Sequence, residues 1–277
     1  MKTVNALVLS GFGLNCDFET AYALERAGAR AERVHINDLI GTPHCPASRT
    51  LLEYQIMVFI GGFSWADDHG AGVLLATRMG RHLREQLQAF LKNGGLALAI
   101  CNGFQCLVNL GLLPNLHGDW ARQVALLHND SGNFQDRWIN TRVNQNSPCL
   151  FTKGLETLNM PVRHGEGKLV ADEATLQYIM DNNLAPLFYA DSQGGPAKRR
   201  FPHNPNGSMF DIAGLCSPDG RVFGLMPHPE GYYRLSQHPD FTLWREQARR
   251  KGEKLDYDAP GAGMEIFINA VNAARES

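Results

Sequence analysis

Short apolar runs alternate with amphipathic stretches along the first part of the chain. The runs Val4–Ser10, Ala31–Ile36 and Leu96–Ile100 have the length and aliphatic content of buried strands. A further run, Tyr54–Gly62, ends in a glycine pair and is predicted to be a strand that enters a turn. Between these runs, apolar residues recur at helical spacing. The predicted helices are Asp17–Ala27, Ala71–Asn93 and Gly103–Leu110.

The pattern changes after Arg122, where apolar runs become shorter and turns rich in Asn, Asp, Gly and Pro separate them. The predicted elements are strands at Arg122–Leu127, Trp138–Val143, Leu187–Ala190 and Val222–Met226, and a terminal helix at Ala262–Ala274. We therefore predict an α/β fold, with a mostly parallel sheet flanked by helices and antiparallel additions to the same sheet in the second half. Ligands of such sheets bind at the carboxyl ends of the parallel strands.

The chain shows no clear boundary between domains. No internal repeat or low-complexity linker divides its 277 residues, a length that fits one large α/β domain. We expect a single domain, residues 1–277, with a charged insertion at about residues 235–261. Within it, Phe241–Lys254 carries five Lys or Arg and two Glu, which favours a solvated surface helix over a binding patch.

Charge balance and cysteine spacing exclude several classes of protein. Since 26 Lys and Arg oppose 28 Asp and Glu, the formal net charge is −2, which argues against nucleic-acid binding by bulk electrostatics. No apolar stretch approaches the ~18 residues of a membrane span. Because the N-terminus also lacks a small-residue cleavage site, we expect a cytoplasmic protein without membrane contact. The six cysteines form no CxxC pair, so neither a disulfide framework nor a zinc ribbon is indicated, and no metal site is expected.

Gly11–Cys16, between the first strand and the first helix, partly resembles a dinucleotide-binding fingerprint. Asp38 follows at about the spacing of the acidic residue that binds ribose in that motif. However, Cys16 stands where the motif needs a third glycine, which favours a structural turn. The chain also lacks a GxxxxGK[ST] phosphate-binding loop. A nucleotide-binding oxidoreductase therefore stays an outside alternative.

Cys101 stands where the strand Leu96–Ile100 runs directly into a helix. Ala99 and Gly103 flank it at the spacing of a nucleophile elbow, in which the sharp backbone turn requires small neighbours. The positive end of a helix lowers the pKa of a cysteine, and the N–H of Asn102 would face the oxyanion formed after attack. On this motif alone, a catalytic thiol and a buried structural cysteine are equally favoured.

His228 and Glu230 follow the strand Val222–Met226, within the segment Pro227–Glu230. The two prolines keep this segment extended, so side chains two positions apart share one face. A carboxylate beside a histidine fixes its tautomer and orientation, as a general base requires. A histidine between prolines is more often structural. Together with Cys101 at the same sheet edge, however, the pair favours a catalytic triad of Cys101, His228 and Glu230.

Several motifs resemble those of the class I (triad) glutamine amidotransferases. They are ICNGFQ at Ile100–Gln105 and PHPE at Pro227–Glu230. Within that class, the chain is similar to the glutaminase subunits of phosphoribosylformylglycinamidine synthases. The motifs that carry this similarity are GLNCD at Gly13–Asp17, GGFS at Gly61–Ser64, HGEG at His164–Gly167 and NPNGS at Asn204–Ser208. The resemblance covers roughly Ala6 to Tyr232 and the last helix, and departs from the usual pattern at Trp65 and Asp67–His69.

The resemblance implies a flavodoxin-like fold and a role for each matching residue. Cys101 would be the nucleophile, His228 the base and acid, and Glu230 the residue that orients His228. The implied oxyanion hole consists of Gly61, Gly62, Phe63 and Asn102. The implied glutamine-binding residues are Gln105, Ser131, Gly132, Asn133 and Phe134. His164 and Glu166 would lie near the site or at the partner interface.

The resemblance also implies an activity and a partner. The chain would hydrolyse glutamine to glutamate and pass ammonia to a synthetase subunit that makes formylglycinamidine ribonucleotide in de novo purine biosynthesis. ATP and Mg²⁺ are expected on the synthetase, with no cofactor in this chain, and a small accessory subunit is a further candidate partner. Two alternatives stay open: a glutaminase subunit of a different amidotransferase, and a catalytically idle scaffold or regulatory subunit.

Overall fold

The computed structural model describes residues 3–276, within which eleven strands and eight α-helices are formed. The strands are β1 (Asn5–Ser10), β2 (Arg30–His35), β3 (Ile56–Phe59), β4 (Leu96–Ile100), β5 (Ala125–His128), β6 (Gln135–Val143), β7 (Thr157–His164), β8 (Glu166–Val170), β9 (Leu187–Ala190), β10 (Ile212–Cys216) and β11 (Val222–Leu225). The helices are α1 (Asp17–Arg26), α2 (Ile36–Ile40), α3 (Val73–His82), α4 (Arg84–Lys92), α5 (Asn102–Asn109), α6 (Glu173–Asp181), α7 (Phe241–Arg250) and α8 (Met264–Glu276). None of these helices is long and apolar enough to cross a lipid bilayer.

Nine of the strands form one mixed sheet in the order β2-β1-β3-β4-β11-β10-β9-β6-β7. All neighbours from β2 to β11 are parallel. From β11 to β7 every neighbouring pair is antiparallel. Every residue of β3, β4 and β11 is buried, as expected for strands covered on both faces. The predicted α/β fold class, with antiparallel additions in the second half, is confirmed.

The long helix predicted at Ala71–Asn93 is wrong, because two shorter helices, α3 and α4, occupy this stretch. The break lies at Leu83, whose backbone leaves the helical region at φ −123° and ψ 5°. Hydrogen bonds nevertheless continue on both sides, from the Leu83 N–H to the Met79 carbonyl and from the Leu87 N–H to the Leu83 carbonyl, each 2.8 Å long. Since Leu83, Met79 and Leu87 are all buried, the apolar stripe continues across the break. The hydrophobic period alone therefore gave no sign of it.

The strand predicted at Arg122–Leu127 was expected in the main sheet, and this placement is wrong. The observed strand, β5, pairs antiparallel with β8 in a separate two-stranded sheet. The strand β8 and its neighbour β7 were not predicted, because β7 contains Pro161 and many polar residues. Proline is tolerated there because β7 lies at the edge of the main sheet.

Two further elements were missed for different reasons. Strand β10 is short and contains Gly214, where a side chain would lie 2.7 Å from the carbonyl oxygen of Gly224 on β11. Glycine thus serves close strand packing, although it reads as a turn signal in sequence. Helix α6 carried a usable signal, since the side chain of Asp172 caps it by accepting from the Thr175 N–H at 2.8 Å.

Three adjacent parallel strands end at the same edge of the sheet. Phe59 of β3 pairs with Ala99 of β4, and Ile100 of β4 pairs with Leu225 of β11. The loops that leave these strands therefore begin side by side. They contain Gly61–Phe63, Cys101–Asn102 and Pro227–Glu230, which are the segments singled out from the sequence.

The charged segment 235–261 packs back onto the sheet through aromatic residues. The ring of His238 stacks on Trp244 with centroids 4.2 Å apart and contacts Trp138 of β6 edge-on at 4.7 Å. Helix α7 lies within this segment, and in it only Phe241 and Ala248 are buried. The structure thus has a largely exposed helix where the sequence favours one.

Gly103, in the first turn of α5, is packed against the backbone of β3. A Cβ at this position would lie 2.1 Å from the carbonyl oxygen of Phe59. We expect Gly103→Ala to lower the free energy of unfolding by about 2 kcal/mol, because rigid backbone must move. Denaturant titration measures this. Gly165→Ala is the control, since its nearest neighbour, Phe134, is 3.9 Å away. Equal effects of the two substitutions would contradict the prediction.

Candidate active site

Cys101 adopts a backbone conformation that residues other than glycine rarely adopt. Its φ is +50° and its ψ is −106°, at the corner between β4 and α5. Hydrogen bonds fix this corner on both sides: the Cys101 N–H donates to the Leu225 carbonyl at 2.8 Å, and its carbonyl accepts from the Gln105 N–H at 3.0 Å. The thiol itself is buried. Such strain, held by the surrounding fold, is characteristic of nucleophile elbows and other functional sites.

His228 and Glu230 form a buried pair just after β11, where Pro229–Tyr232 form a 3-10 helix instead of the extended segment that the sequence predicts. Both are 2% exposed, and Nδ1 of His228 lies 2.5 Å from Oε1 of Glu230. The segment is anchored by the His228 N–H, which donates to the Pro161 carbonyl at 2.8 Å. Because the carboxylate accepts at Nδ1, we assign the first ring proton to Nδ1, so Nε2 is the nitrogen that gains and loses the second proton. Nε2 is buried and has no hydrogen-bond partner among the described residues.

Three effects compete in setting the pKa of His228. Burial is the largest and lowers the pKa, because the charged imidazolium loses its hydration. The negative charges of Glu230 and Cys101 oppose it, as does the proximity of the Cys101 and Cys16 thiols to the ring. Together these interactions raise the pKa of His228 well above its ordinary value of 6.5. Cys101 and His228 are thus brought together, and the ring can hold a proton beside the sulfur.

The loop Gly61–Phe63 lies directly against this pair. A Cβ on Gly61 would be 2.7 Å from Cε1 of His228, so only glycine lets the imidazole approach the loop. The Phe63 N–H donates to the Gly13 carbonyl at 2.9 Å and is therefore engaged. By contrast, the backbone N–H groups of Gly62 and Asn102 make no hydrogen bond within residues 3–276. Phe63 is therefore not available to an oxyanion through its amide, whereas Gly62 and Asn102 have amides free to bind an anion.

The side chain of Asn102 ties the elbow to the loop after β3. Its Oδ1 accepts from the Ser64 N–H at 3.3 Å, and its Nδ2 donates to Oδ1 of Asp67 at 2.8 Å. Burial raises the pKa of Asp67, while the hydrogen bond from Asn102 opposes this rise. Nδ2 of Asn102 also donates to Oε1 of Gln105 at 3.2 Å.

Gln105 and Glu166 continue this chain of hydrogen bonds. Nε2 of Gln105 donates to the Glu166 carbonyl at 2.7 Å, so the amide predicted to face glutamine is engaged by β8. The Glu166 carboxylate accepts from the Ala71 N–H at 3.2 Å, which returns to the loop that carries Asp67. We call the side chains of Asp67, Asn102, Gln105 and Glu166 the elbow ring. Through these hydrogen bonds, the start of α5 is connected to the loop after β3 and to β8.

His164, at the end of β7, is buried near enough to His228 for the charge of that ring to act on it. Its Nδ1 is 3.0 Å from Oδ1 of Asn129, and the Asn129 amide donates to the His164 carbonyl at 2.8 Å. Burial lowers the pKa of His164 to about 3, with a further contribution from the charge of His228. His164 is therefore neutral at physiological pH and adds no second positive charge beside His228.

A cleft of about 290 Å³ opens over His228. Its lining consists of Asn15, Cys16, Glu19, Gly62, Phe63, Phe134, Arg163 and His228. Phe134 and Phe63 face each other with ring centroids 6.2 Å apart. The other members of the predicted glutamine-binding loop, Ser131, Gly132 and Asn133, are exposed and do not line the cleft. Ser131 and Asn133 hydrogen-bond to each other instead, through side-chain and backbone atoms.

Cys16 and Arg163 line this cleft but were not predicted as site residues. The sequence hint for Cys16 was its place after β1, whose carboxyl end lies beside that of β3. The turn before it is packed against the loop Gly61–Phe63, because a Cβ on Gly13 would lie 2.2 Å from the Phe63 carbonyl oxygen. This contact explains the glycines that resemble a dinucleotide fingerprint. Arg163 carried no motif.

Known proteins are similar to this chain over nearly its whole length. The family profile described as "CobB/CobQ-like glutamine amidotransferase domain" matches residues 3–272. Phosphoribosylformylglycinamidine synthase subunit PurQ of Dehalococcoides mccartyi is 42% identical over 276 residues, covering all of both chains. The PurQ subunit of Methanococcus maripaludis strain C7 is 40% identical, over 96% of this chain and 95% of that protein. A solved structure, "Structure of PurLQS from Thermotoga maritima", superposes with a TM-score of 0.66 at 26% identity, covering 98% of this chain and 99% of that one.

The raised pKa of His228 predicts how the ring titrates. In the wild-type chain the imidazole should keep its proton well above pH 6.5, whereas in Glu230→Gln burial should prevail and move the pKa below 6.5. The stability that Glu230 adds through this proton is present below pH 6.5 and is lost as pH rises through the folded pKa.

The measurement is ¹⁵N NMR of the histidine rings over a pH series, with denaturant unfolding of both proteins at acid and alkaline pH. Glu246→Gln, which alters an exposed carboxylate on α7, is the control and should leave the His228 titration in place. A wild-type His228 that loses its proton below pH 6.5 would refute the assignment.

Proposed function

This chain belongs to the CobB/CobQ-like glutamine amidotransferase domain family, and on that premise we propose that it is the glutaminase subunit of a phosphoribosylformylglycinamidine synthase. It hydrolyses glutamine to glutamate and passes ammonia to a synthetase subunit in purine biosynthesis. The observation that carries the proposal is the strained Cys101, at the same sheet edge as the buried, hydrogen-bonded pair His228 and Glu230. An idle scaffold would have no use for such strain.

The first chemical step is attack by the Cys101 sulfur on the amide carbon of glutamine. The Cys101 proton passes to Nε2 of His228 as the sulfur–carbon bond forms, and the carbonyl oxygen takes the negative charge of the tetrahedral intermediate. When the carbon–nitrogen bond breaks, His228 donates its proton to the departing nitrogen, so ammonia leaves uncharged and a thioester stays on Cys101. The pKa of His228, raised above its ordinary value, supports its role as the proton donor.

The free amides of Gly62 and Asn102 supply the proposed oxyanion hole. Each N–H is ready to bond to the developing oxyanion without breaking another hydrogen bond. One such donor contributes about 10²–10³ in rate, so the two together matter as much as the base. The side chain of Phe63 lines the cleft, whereas its backbone amide is hydrogen-bonded to the Gly13 carbonyl and is not available to the oxyanion.

The second step consumes water and restores the enzyme. His228, now deprotonated, takes a proton from a water molecule, which attacks the thioester carbon and releases glutamate and the Cys101 sulfur. Glu230 keeps the ring oriented through both steps, since its carboxylate stays bonded to Nδ1. The sum is one glutamine and one water giving one glutamate, one ammonia and one proton.

Glutamine enters the proposed mechanism through the cleft between Phe63 and Phe134. Its α-amino and α-carboxylate groups carry opposite charges, and the cleft offers Glu19 and Arg163 as complementary side chains. Phe134 contributes an apolar wall, while Ser131, Gly132 and Asn133 shape the loop that holds it. Gln105 acts by positioning the elbow rather than by binding substrate.

The synthetase partner holds ATP, Mg²⁺ and the nucleotide substrate in this proposal, and the present chain needs no cofactor of its own. The subunit letters in the name PurLQS, alongside the letter Q of the relatives, support an assembly of this kind. We place the assembly in the cytoplasm. The six free thiols of this chain fit a reducing compartment.

Cys101→Ser should abolish synthesis from glutamine, by at least about 10³-fold, because the nucleophile is lost. The reconstituted complex should retain synthesis from added ammonium, which bypasses the glutaminase. Cys45→Ser, which changes an exposed thiol, is the control and should behave as wild type. Glutamate formation and nucleotide product are measured in parallel. Full glutaminase activity in Cys101→Ser would refute the proposal.

Asp67 is proposed as a positioning residue, because it holds Asn102 without touching substrate. Asp67→Ala should lower kcat about tenfold, since a misplaced oxyanion donor acts mainly on the transition state. KM should change much less. Asp67→Asn retains an oxygen acceptor for Asn102 and should recover most of kcat. Steady-state kinetics of both variants in the complex test this. A variant that changes KM but not kcat would contradict the proposed positioning role of Asp67.

A further inference from the structure

Residues 198–211, which lie between β9 and β10, have a strained backbone at both ends. Lys198 and Arg199 are consecutive residues with φ of +55° and +54°, and Phe210 and Asp211 are consecutive residues with φ of +53° and +60°. Each of these left-handed conformations costs free energy in a residue other than glycine. Such strain persists only where the surrounding structure imposes it, and it is concentrated at functional sites. We call residues 198–211 the basic loop.

A buried carboxylate holds the basic loop in this conformation. Asp211 is 5% exposed, and its side chain accepts from the backbone N–H groups of Lys198 and Arg199, each at 2.7 Å. Nδ2 of Asn204 also donates to this carboxylate, at 2.9 Å. Asp211 thus bonds to the backbone beside the cations and leaves their side chains at the surface.

The side chains of Lys198, Arg199 and Arg200 are consecutive and exposed. Within residues 3–276, neither arginine side chain forms an ion pair or a hydrogen bond. Asp130, which lines the same recess as Arg199, is already paired with Lys168. Since the whole chain has a net charge of −2, the basic loop is a positive region on a protein that is slightly negative. Such a region attracts acidic groups.

Two large apolar side chains are exposed on the same loop. Phe201 is 57% exposed and Phe210 is 53% exposed. The guanidinium of Arg137 on β6 lies 4.5 Å from the centroid of the Phe201 ring, and this cation–π contact holds the ring in place. Phe201 and Arg199 line a recess of about 250 Å³. Aromatic and arginine side chains are enriched in protein–protein interfaces, whereas a site for a small anion needs no exposed phenylalanine.

The basic loop adjoins the loop that carries Phe134 in the proposed glutamine cleft. The Asp130 N–H donates to the Asn206 carbonyl at 3.1 Å, and Ser131 lines the same recess as Arg199. Phe134, further along the same loop, lines the cleft. A subunit bound to the basic loop would therefore lie beside the cleft in which the proposed reaction releases ammonia.

We propose that the basic loop is a docking surface for the synthetase subunit, which binds it with acidic side chains around the two arginines and an apolar recess for Phe201. This inference rests on the proposed function, which supplies that partner. Because Asp211 fixes the loop in the free chain, the cations and the ring are already arranged for binding, which lowers the entropic cost of association. Attraction between opposite charges also speeds the encounter at low salt.

The first test measures the affinity of charge variants for the purified synthetase subunit by isothermal titration calorimetry at low and high salt. Arg199→Glu/Arg200→Glu should weaken binding at least about tenfold at low salt, because attractive contacts become repulsive, and the defect should shrink at high salt. Lys251→Glu/Lys254→Glu, at two exposed cations after α7, makes the same change in net charge and should bind as wild type does. Equal affinities of the two double variants would overturn the proposal.

The control residues belong to the segment that packs on the other face of β6. Trp138 contacts His238 of that segment, whereas Arg137, the preceding residue of the strand, contacts Phe201. Since consecutive side chains of a strand point to opposite faces of the sheet, the sheet separates the control surface from the basic loop.

The second test removes the aromatic side chain. Phe201→Ala should weaken binding about tenfold at both salt concentrations, because salt does not screen an apolar contact. Leu243→Ala, at a 54% exposed residue of α7, is the control and should have no effect. A Phe201→Ala chain that binds as tightly as the Leu243→Ala chain would overturn the proposal.

The same measurements separate this inference from the proposed function. A wild-type chain that does not bind the synthetase would refute both. A wild-type chain that binds it, with Arg199→Glu/Arg200→Glu binding equally well, would refute the docking surface alone. Sedimentation of the isolated chains tests another occupant. If the double variant alters self-association but not synthetase binding, the basic loop is an interface between copies of this chain and the proposal is overturned.

Discussion

A buried imidazole bonded to a buried carboxylate governs the carboxyl edge of this sheet. His228 and Glu230 are each 2% exposed, so neither charge is stabilised by bulk water and each depends on the other. This dependence constrains the neighbours. Position 61 has no side chain, because a Cβ would strike the ring, and His164 is kept neutral by burial, which avoids a second positive charge. The surroundings of the pair are thus as specific as the pair itself.

The elbow meets a different constraint, which is strain. Cys101 can hold a φ of +50° only if the segments around it leave no alternative. Its own amide is bonded to β11, Gly103 is pressed against β3, and the elbow ring holds Asn102 and Gln105. Elements distant in sequence therefore contribute to one backbone angle. Among the described residues, the amides of Gly62 and Asn102 find no acceptor, which leaves them available to bind an anion.

Local pattern was enough to predict the parallel half of the fold and the residues at its edge. The strand Leu96–Ile100 was predicted with its observed ends, and Cys101, His228 and Glu230 follow strands that proved to be neighbours. What failed depended on tertiary contacts. The break at Leu83 leaves the apolar stripe intact, β7 contains a proline that only an edge strand tolerates, and β5 pairs outside the main sheet. The residues of one strand do not determine which other strand it pairs with.

The candidate site shows the same division. The motifs identified the residues of the site, but they did not show which polar atoms of those residues are hydrogen-bonded within the fold. Phe63 belongs to the predicted GGFS motif, yet its amide is bonded to Gly13; Gln105 belongs to CNGFQ, yet its amide is bonded to Glu166. Cys16 belongs to GLNCD and stands where a nucleotide fingerprint needs glycine, yet neither motif indicates that it lies near His228. The hydrogen-bond partners and the lining of the cleft come from segments that are distant in sequence, so no single motif predicts them.

The small sheet formed by β5 and β8 gives the elbow a mechanical connection to the protein surface. Glu166 begins β8, holds Gln105 through its carbonyl, and lies 3.7 Å from His128, whose side chain is 83% exposed. Leu127 beside it is also exposed. One hydrogen bond, from Gln105 to the Glu166 carbonyl, therefore joins the first turn of α5 to a two-stranded sheet whose other strand is partly exposed to solvent.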